Sequence, residues 1–463
     1  MKYKVLTDQD IKFFKEVVTE KYVLISDFES YSFDATENLQ FYPDIVLKPG
    51  TAEEVSEIVK YCNQNLLPIT PRGAGTGLAG GALAVNGGVV LSMERLNKIL
   101  EIDENNFQVQ LEAGVINYDL QQALSEVNLF YPPDPSSWQS SFIGGNIGTN
   151  AGGPKAVKYG VTSNYVLNLE VVLPNGETIW TGANTLKNST GLNLTQLFVG
   201  SEGTLGIITK AVLKVIPKPG KEISLLIPFR DLYQACEAVS AIFKAGINPS
   251  TLEFMEQRAI DATIDFLKEV NIPVEFGIQA HLLVSIDDNI ESELQKCIEV
   301  VSKFDVGEIL FAENQVEKDR IWQVRRKVAE VVKLNGYTLE QDTVVPRAEL
   351  AKLVAAMHKL ADENNFKVVC YGHAGDGNLH IRINHPNFKN SYQIPEIQII
   401  LKQLFSIVKD LGGTISGEHG IGLTQKPYLP IVFSKANLEL QKTIKKAIDP
   451  KNIMNPDKLF SGR

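Results

Sequence analysis

Five glycines stand within nine residues at Gly73, Gly75, Gly77, Gly80 and Gly81. The spacing from Gly75 to Gly80 is a literal G-x-G-x-x-G. In a doubly wound nucleotide-binding unit that pattern opens a helix whose N-terminus holds a pyrophosphate. Here the helical signal lies before the glycines: Thr51 with Glu54 makes a capping box, and Val55, Ile58, Val59 and Cys62 fall on one helical face. A short apolar strand, Leu66 to Thr70, leads into the glycines. After them, Asn86-Gly87-Gly88 is a turn into a second strand, Val89 to Met93. The glycines therefore predict a loop between strands. Successive backbone N–H groups in such a loop can form a nest for a diphosphate. The plainer alternative is a strained surface turn.

Two further segments extend the theme. Gly144-Gly145-Asn146-Ile147-Gly148-Thr149-Asn150-Ala151-Gly152-Gly153 leaves few side chains, which lets backbone approach a large flat ligand. Pro132-Pro133-Asp134-Pro135-Ser136-Ser137 precedes it as a rigid turn rich in acceptors. Gly200-Ser201-Glu202-Gly203-Thr204-Leu205-Gly206 is the third.

A chain of 463 residues is too long for one ordinary core. Phe107, Val109, Leu111, Ala113 and Val115 alternate as a half-buried strand does, Asn175-Gly176 reads as a hairpin turn, and Gly206 to Ile216 reads as a strand. Pro217-Lys218-Pro219-Gly220 is the clearest boundary. Beyond it, strand-like runs at 223–228, 277–286 and 306–312 alternate with helical patterns. One of these starts near Glu317 and carries Ile321, Val324, Val328 and Val331 on its apolar side. The expected organisation is α+β: residues 1–218, then a mixed domain over 219–415 with helices on one face of a sheet, then a helical segment over 416–463. The net charge of −10 without a basic stripe disfavours a nucleic-acid partner. No apolar run approaches a membrane span. Cys62, Cys236, Cys297 and Cys370 lie far apart and read as small buried hydrophobes in a reducing, cytoplasmic setting.

Three of the six histidines lie in two compact motifs, Gly372-His373-Ala374-Gly375-Asp376-Gly377-Asn378-Leu379-His380 and Ser416-Gly417-Glu418-His419-Gly420. The Gly-Asp-Gly-Asn turn can fold His373 and His380 toward one point. Two imidazoles with a carboxylate are a common divalent-metal set. In an extended segment Glu418 and His419 point to opposite sides, so one can meet a metal and the other a substrate. Ordinary buried histidines are the structural alternative, and that is the reading for His281, His358 and His385, which stand alone.

Together the glycine segments resemble the FAD-binding domain of the vanillyl-alcohol oxidase, or PCMH-type, flavoproteins over residues 40–218. The resemblance implies that Arg72, Gly73, Ala74, Gly75, Thr76 and Gly77 wrap the pyrophosphate. It places Pro133, Asp134, Gly144, Gly145, Asn146, Gly152 and Gly153 along the flavin, and Glu202, Gly206 and Ile208 toward the adenine. No histidine precedes His281, so histidyl attachment in this domain is impossible and non-covalent FAD is expected.

The two histidine motifs resemble the C-terminal, substrate-binding (cap) domain of the D-lactate, glycolate and D-2-hydroxyglutarate dehydrogenase group. That likeness implies His373, His380 and Glu418 as ligands of zinc, manganese or iron, and His419 as catalytic base. Trp322-Gln323-Val324-Arg325 resembles the segment whose arginine grips the substrate carboxylate, with Arg326 as the competing candidate. In the 2-hydroxyglutarate branch a Thr and a Lys bind a second carboxylate. Their places here are Ala329 and Glu340, which favours a monocarboxylate such as D-lactate or glycolate, although Arg382 could serve a distal carboxylate. The expected reaction is oxidation to the 2-oxo acid, with electrons passed to an external acceptor: an electron-transfer protein, a quinone or a dye. A homodimer, and a peripheral membrane location through that acceptor, stay open. The rival readings are a D-2-hydroxyglutarate dehydrogenase, a flavin-free metallohydrolase and a non-catalytic flavin subunit.

Overall fold

In the computed structural model, which describes residues 3–268, 275–385 and 394–460, the chain changes unit between Lys218 and Pro219. One unit comprises Met1–Gly152, Val161–Lys218 and Glu418–Arg463; the other comprises Gly153–Gly160 and Pro219–Gly417. Both combine helices with sheets.

The first unit carries a four-stranded sheet in the order Val23–Leu24, Ile45–Leu47, Val89–Ser92, Ile69–Arg72. The last three strands run parallel, and the helix Ala52–Asn65 supplies the crossover. Thr51 Oγ1 accepts from Glu54 N at 3.2 Å, while the Glu54 carboxylate reaches back to Gly50 N at 2.7 Å. Val55, Ile58, Val59 and Cys62 are fully buried against the sheet strands. Leu66 closes the helix at φ +55°, so the strand begins at Ile69 rather than at Leu66. A five-stranded antiparallel sheet follows, in the order Ile99–Asp103, Gln108–Glu112, Ile207–Lys214, Val166–Val172, Thr178–Trp180. Gly176, at φ +88°, turns the last hairpin. The C-terminal stretch returns to this unit: Ile69 N donates to Ile453 O at 2.8 Å and Asn455 N to Ile69 O at 2.7 Å, extending the parallel sheet.

The second unit is built on a seven-stranded antiparallel sheet. Its order is Leu310–Ala312, Ile223–Phe229, Ala280–Ile286, Thr251–Glu256, Lys367–Gly372, Asn378–Asn384, Leu339–Val344. Met255, Leu283, Val369 and Tyr371 pack with Ile260 of the helix Gln257–Leu267 and with Ile321, Val324 and Val328 of the helix Gln315–Leu334. The alternate residues Leu252 and Phe254 are as deeply buried, and Leu232–Lys244 and Leu350–Glu363 pack against these strands. The sheet is therefore covered on both faces, not on one as the sequence suggested. Strands buried on both faces read as nearly continuous apolar runs, a pattern that hides how many layers lie above them.

The four cysteines are buried and unpaired. No helix among the described residues is long and apolar enough to cross a membrane.

Candidate active site

The first glycine segment opens no helix; it runs on to the strand Val89–Ser92. Gly75 and Gly80 take φ of +75° and +74°, conformations that favour glycine. Arg72 Nη2 donates to Ser30 O at 3.0 Å and Phe33 O at 2.8 Å, so part of this guanidinium fixes the loop to the preceding chain. Gly80 N donates to Thr36 Oγ1 at 2.6 Å from the same side.

The second segment contains a short helix, Ile143–Thr149. Its Gly144 N donates to Ala113 O at 2.7 Å, and a Cβ there would stand 2.7 Å from Ala113 Cβ. Gly144 is thus required by packing. So is Gly206, where a Cβ would meet Val171 Cγ1 at 2.7 Å. Gly77, Gly145 and Gly148 are different: among the described residues, no atom beyond the adjoining chain lies within 4 Å of their Cβ positions. Gly73 lies against Gly145, with 3.5 Å from its Cβ position to the Gly145 Cα. Asn146 is 5 % exposed, yet its Nδ2 has no partner among the described residues. An open, Cβ-poor cradle beside an unsatisfied buried amide fits a bound flavin nucleotide. Pro133 is buried and accepts from Asn117 Nδ2 at 3.0 Å, Asp134 is half-buried beside it, and Ala74 and Thr76 line the loop. Ile208 is buried in the central strand, and Gly153 belongs to the second unit.

Glu202 does not extend away from the chain. Its carboxylate accepts from Ile421 N at 2.7 Å and Gly422 N at 2.8 Å, and burial pushes its pKa up to about 6. Leu423 N donates to Ala79 O at 2.7 Å, and Asn455 Nδ2 to Gly81 O at 2.9 Å and Glu202 O at 2.8 Å. The stretch after Gly417 is therefore tied to the first and third glycine segments. It also meets the second, where Glu418 Oε2 lies 3.1 Å from the Cβ position of Gly152. Residues 417–419 form a bend, not the extended segment the sequence suggested, so strand alternation does not set the directions of Glu418 and His419. The unit boundary falls between Gly417 and Glu418, which puts this pair in the first unit and His373 and His380 in the second.

In the second unit, strand register gathers the polar residues. Met255 pairs with Tyr371, Tyr371 with His380, His380 with Asp342, and Arg382 with Glu340. Directly paired residues share a face, as do residues two apart on one strand. Glu253, Tyr371, His380, Arg382, Glu340 and Asp342 thus lie on one side of the sheet, the side covered by Gln315–Leu334. His373 follows the end of its strand. Its ring centroid lies 5.5 Å from that of His380, edge to face.

Glu253 is the centre of this arrangement. It is wholly buried, and its carboxylate lies 2.8 Å (Oε1) and 3.0 Å (Oε2) from His373 Nδ1. Arg325 donates to it from Nε at 2.7 Å, with Nη2 2.6 Å away. Burial alone would raise the pKa of Glu253, but its electrostatic and hydrogen-bond contacts with His373 and Arg325 hold it below the ordinary value. Arg325 is 6 % exposed, whereas Arg326 is exposed, its guanidinium 5.7 Å from the Trp322 ring. Of the two candidate arginines, only Arg325 faces the histidines' side of the sheet.

Arg382 is also engaged. Its Nη2 lies 2.5 Å from Glu340 Oε2 and its Nε donates to Tyr371 Oη at 3.2 Å. His380 Nδ1 lies 3.4 Å from Glu340 Oε1. Ala329 is half-buried in the long helix. Asp342 accepts from Asn378 Nδ2 at 2.7 Å, Ser416 Oγ at 3.0 Å and Gly417 N at 2.8 Å, fixing the chain just before Glu418. Among the remaining histidines, His358 lies 3.0 Å from Glu256, burial holds His281 down to about 4, and His385 follows the strand Asn378–Asn384. Sequence reasoning missed Glu253 and Asp342. Each is a deeply buried acid in a sheet strand, one of two acids that strand carries, and an acid among apolar strand residues is the signal that could have found them.

Residues 43–182 match the family described as FAD binding domain, and residues 218–459 match that described as FAD linked oxidases, C-terminal domain. The chain is 40% identical to a glycolate oxidase subunit of Bacillus subtilis over 93% of this chain and 92% of the relative. It is 38% identical to a D-lactate dehydrogenase of Anaerostipes hadrus, covering 99% of this chain and 98% of the relative. The solved structure of p-cresol methylhydroxylase with substrate bound superposes with a TM-score of 0.78 at 18% identity, over 99% of this chain and 98% of that one, which shows the fold.

Proposed function

The chain belongs to the FAD-linked oxidase family, and on that premise we propose that it oxidises a small D-2-hydroxy acid, D-lactate or glycolate, to the 2-oxo acid. FAD, held without a covalent bond along the loop 72–77 and the segment 144–153, supplies the hydride acceptor for C2. A divalent ion held by His373, His380 and Glu418 would acidify the substrate hydroxyl. Two features support that donor set: the Glu253 carboxylate fixes the ring of His373, and Asp342 anchors Gly417, the residue bonded to Glu418.

The observation that carries the reading is the Arg325–Glu253–His373 chain, which joins through one buried carboxylate the arginine proposed for the substrate and a histidine proposed for the metal. Arg325 binds the substrate carboxylate by charge-assisted hydrogen bonds. His419 takes the hydroxyl proton as general base. The two electrons then pass to an external acceptor, an electron-transfer protein, quinone or dye. The Arg382–Glu340 pair favours a monocarboxylate, because the cation that could greet a second carboxylate already has an anion against it.

Anaerobic mixing of the purified protein with a panel of 2-hydroxy acids tests the proposal. D-Lactate or glycolate should bleach the flavin absorbance near 450 nm, a band this cofactor class carries. A colourless protein, or a flavin that no 2-hydroxy acid bleaches, refutes it.

A further inference from the structure

We propose that Glu253 is a positioning residue that serves the metal and the substrate carboxylate at once, through His373 and Arg325; this rests on the roles proposed for those two residues. The sheet register brings it there. Phe254 pairs with Gly372 and Met255 with Tyr371, so continuing the same antiparallel register sets Glu253 opposite His373. The side chain is wholly buried, and both its oxygens are within 3.0 Å of His373 Nδ1.

A carboxylate can only accept. An imidazole that donates Nδ1–H to it carries its lone pair on Nε2, and the ring cannot rotate without breaking the bond. A metal-binding histidine needs that fixed tautomer and that fixed ring plane. The same carboxylate receives Nε and Nη2 of Arg325 and aims the rest of the planar guanidinium, with the Tyr371 ring 5.6 Å from its central carbon. One anion in the middle of a sheet thus sets the direction of two groups that must meet a single small substrate. A merely structural buried ion pair would affect folding stability and leave metal affinity alone.

The test uses the full-length, FAD-loaded protein stripped of metal by chelation and titrated with Mn2+, the unbound ion being read by electron paramagnetic resonance. H373A should lose tight binding. E253Q should retain FAD and weaken Mn2+ by about 10–100-fold, the usual effect of removing a carboxylate behind a metal-binding histidine. E253D keeps the charge but withdraws it by one methylene and should fall between. Oxalate binding, measured by calorimetry on the same proteins, should weaken in parallel as Arg325 loses its anchor. If H373A loses Mn2+ while E253Q binds it as the wild type does, the Glu253 proposal is overturned and the metal assignment stands. If H373A also binds Mn2+ normally, the metal assignment itself has failed. Should E253Q not fold, wild-type affinity in E253D overturns the proposal.

Discussion

Glu340 neutralises Arg382: the carboxylate and guanidinium stand 2.5 Å apart on paired residues of adjacent strands, with side chains 13% and 5% exposed. An incoming second carboxylate would have to displace Glu340 and would meet its repulsion first. The wild type should therefore turn over D-lactate better than D-2-hydroxyglutarate. In E340Q the ratio of kcat/KM values should move toward the dicarboxylate by about tenfold or more, the value of one charge-assisted contact. An unchanged ratio would place Arg382 outside the substrate's reach.

The two neighbouring arginines should behave differently. R325A should raise the KM for the 2-hydroxy acid by about 10–150-fold, matching a lost contact of about 1.5–3 kcal/mol. It should also lower thermal stability, because Glu253 keeps a buried charge with one partner fewer. R326A should do neither. Steady-state kinetics and a melting curve on both variants check the pair, and a KM effect confined to R326A would reverse the assignment.

Glu418 and His419 should separate metal content from rate. E418Q replaces an anionic ligand with a weak neutral one, so bound metal and activity should fall together. H419Q should keep metal and FAD but slow anaerobic flavin reduction by about 10²–10⁴-fold, the usual contribution of a positioned base. Loss of metal in H419Q, with retention in E418Q, would exchange the two roles.

Glu202 should leave a mark on stability against pH. Its folded pKa of about 6 lies above the ordinary 4.5, so the native state holds this proton more tightly than the unfolded chain does. The resulting stabilisation is fully present below pH 4.5 and is lost as pH rises through 6, by about 2 kcal/mol in all. E202Q removes the titration. The stability difference between wild type and E202Q, from urea unfolding at pH 4 and pH 7, should shift by that amount in the direction of a less stable wild type at pH 7. A difference independent of pH would mean that Glu202 titrates normally.

Much of the first unit could be read in the residues themselves. Runs of glycine announce themselves, and the helix Ala52–Asn65 declares its cap and its buried face. What stayed hidden depends on contacts distant in sequence. Glu253 is one of two acids in the strand Thr251–Glu256; its partners lie 72 and 120 residues away, and only the sheet register joins them. The helix Ile143–Thr149 forms in sequence with poor helix propensity because packing on Ala113 holds it. The bend at 417–419 follows from Asp342, 75 residues earlier, taking Gly417 N. Packing demands on Gly144 and Gly206 were hidden in the same way: a Cβ at either would strike a neighbouring strand or loop.

The order in which the chain visits its two units carries a consequence for synthesis. The polypeptide passes from one unit to the other four times, and the first unit receives its last segment only from residue 418 onward. Ile69 must wait for Ile453 and Asn455 to satisfy its N–H and C=O. On a ribosome adding about 5–20 residues each second, that wait is tens of seconds, during which the stretch 219–417 has already emerged. The second unit can complete its sheet first, while the unit that begins the chain stays open at one edge. A strand edge left open for so long invites association with other chains, so yields on expression should respond to chaperones and to slower, cooler synthesis.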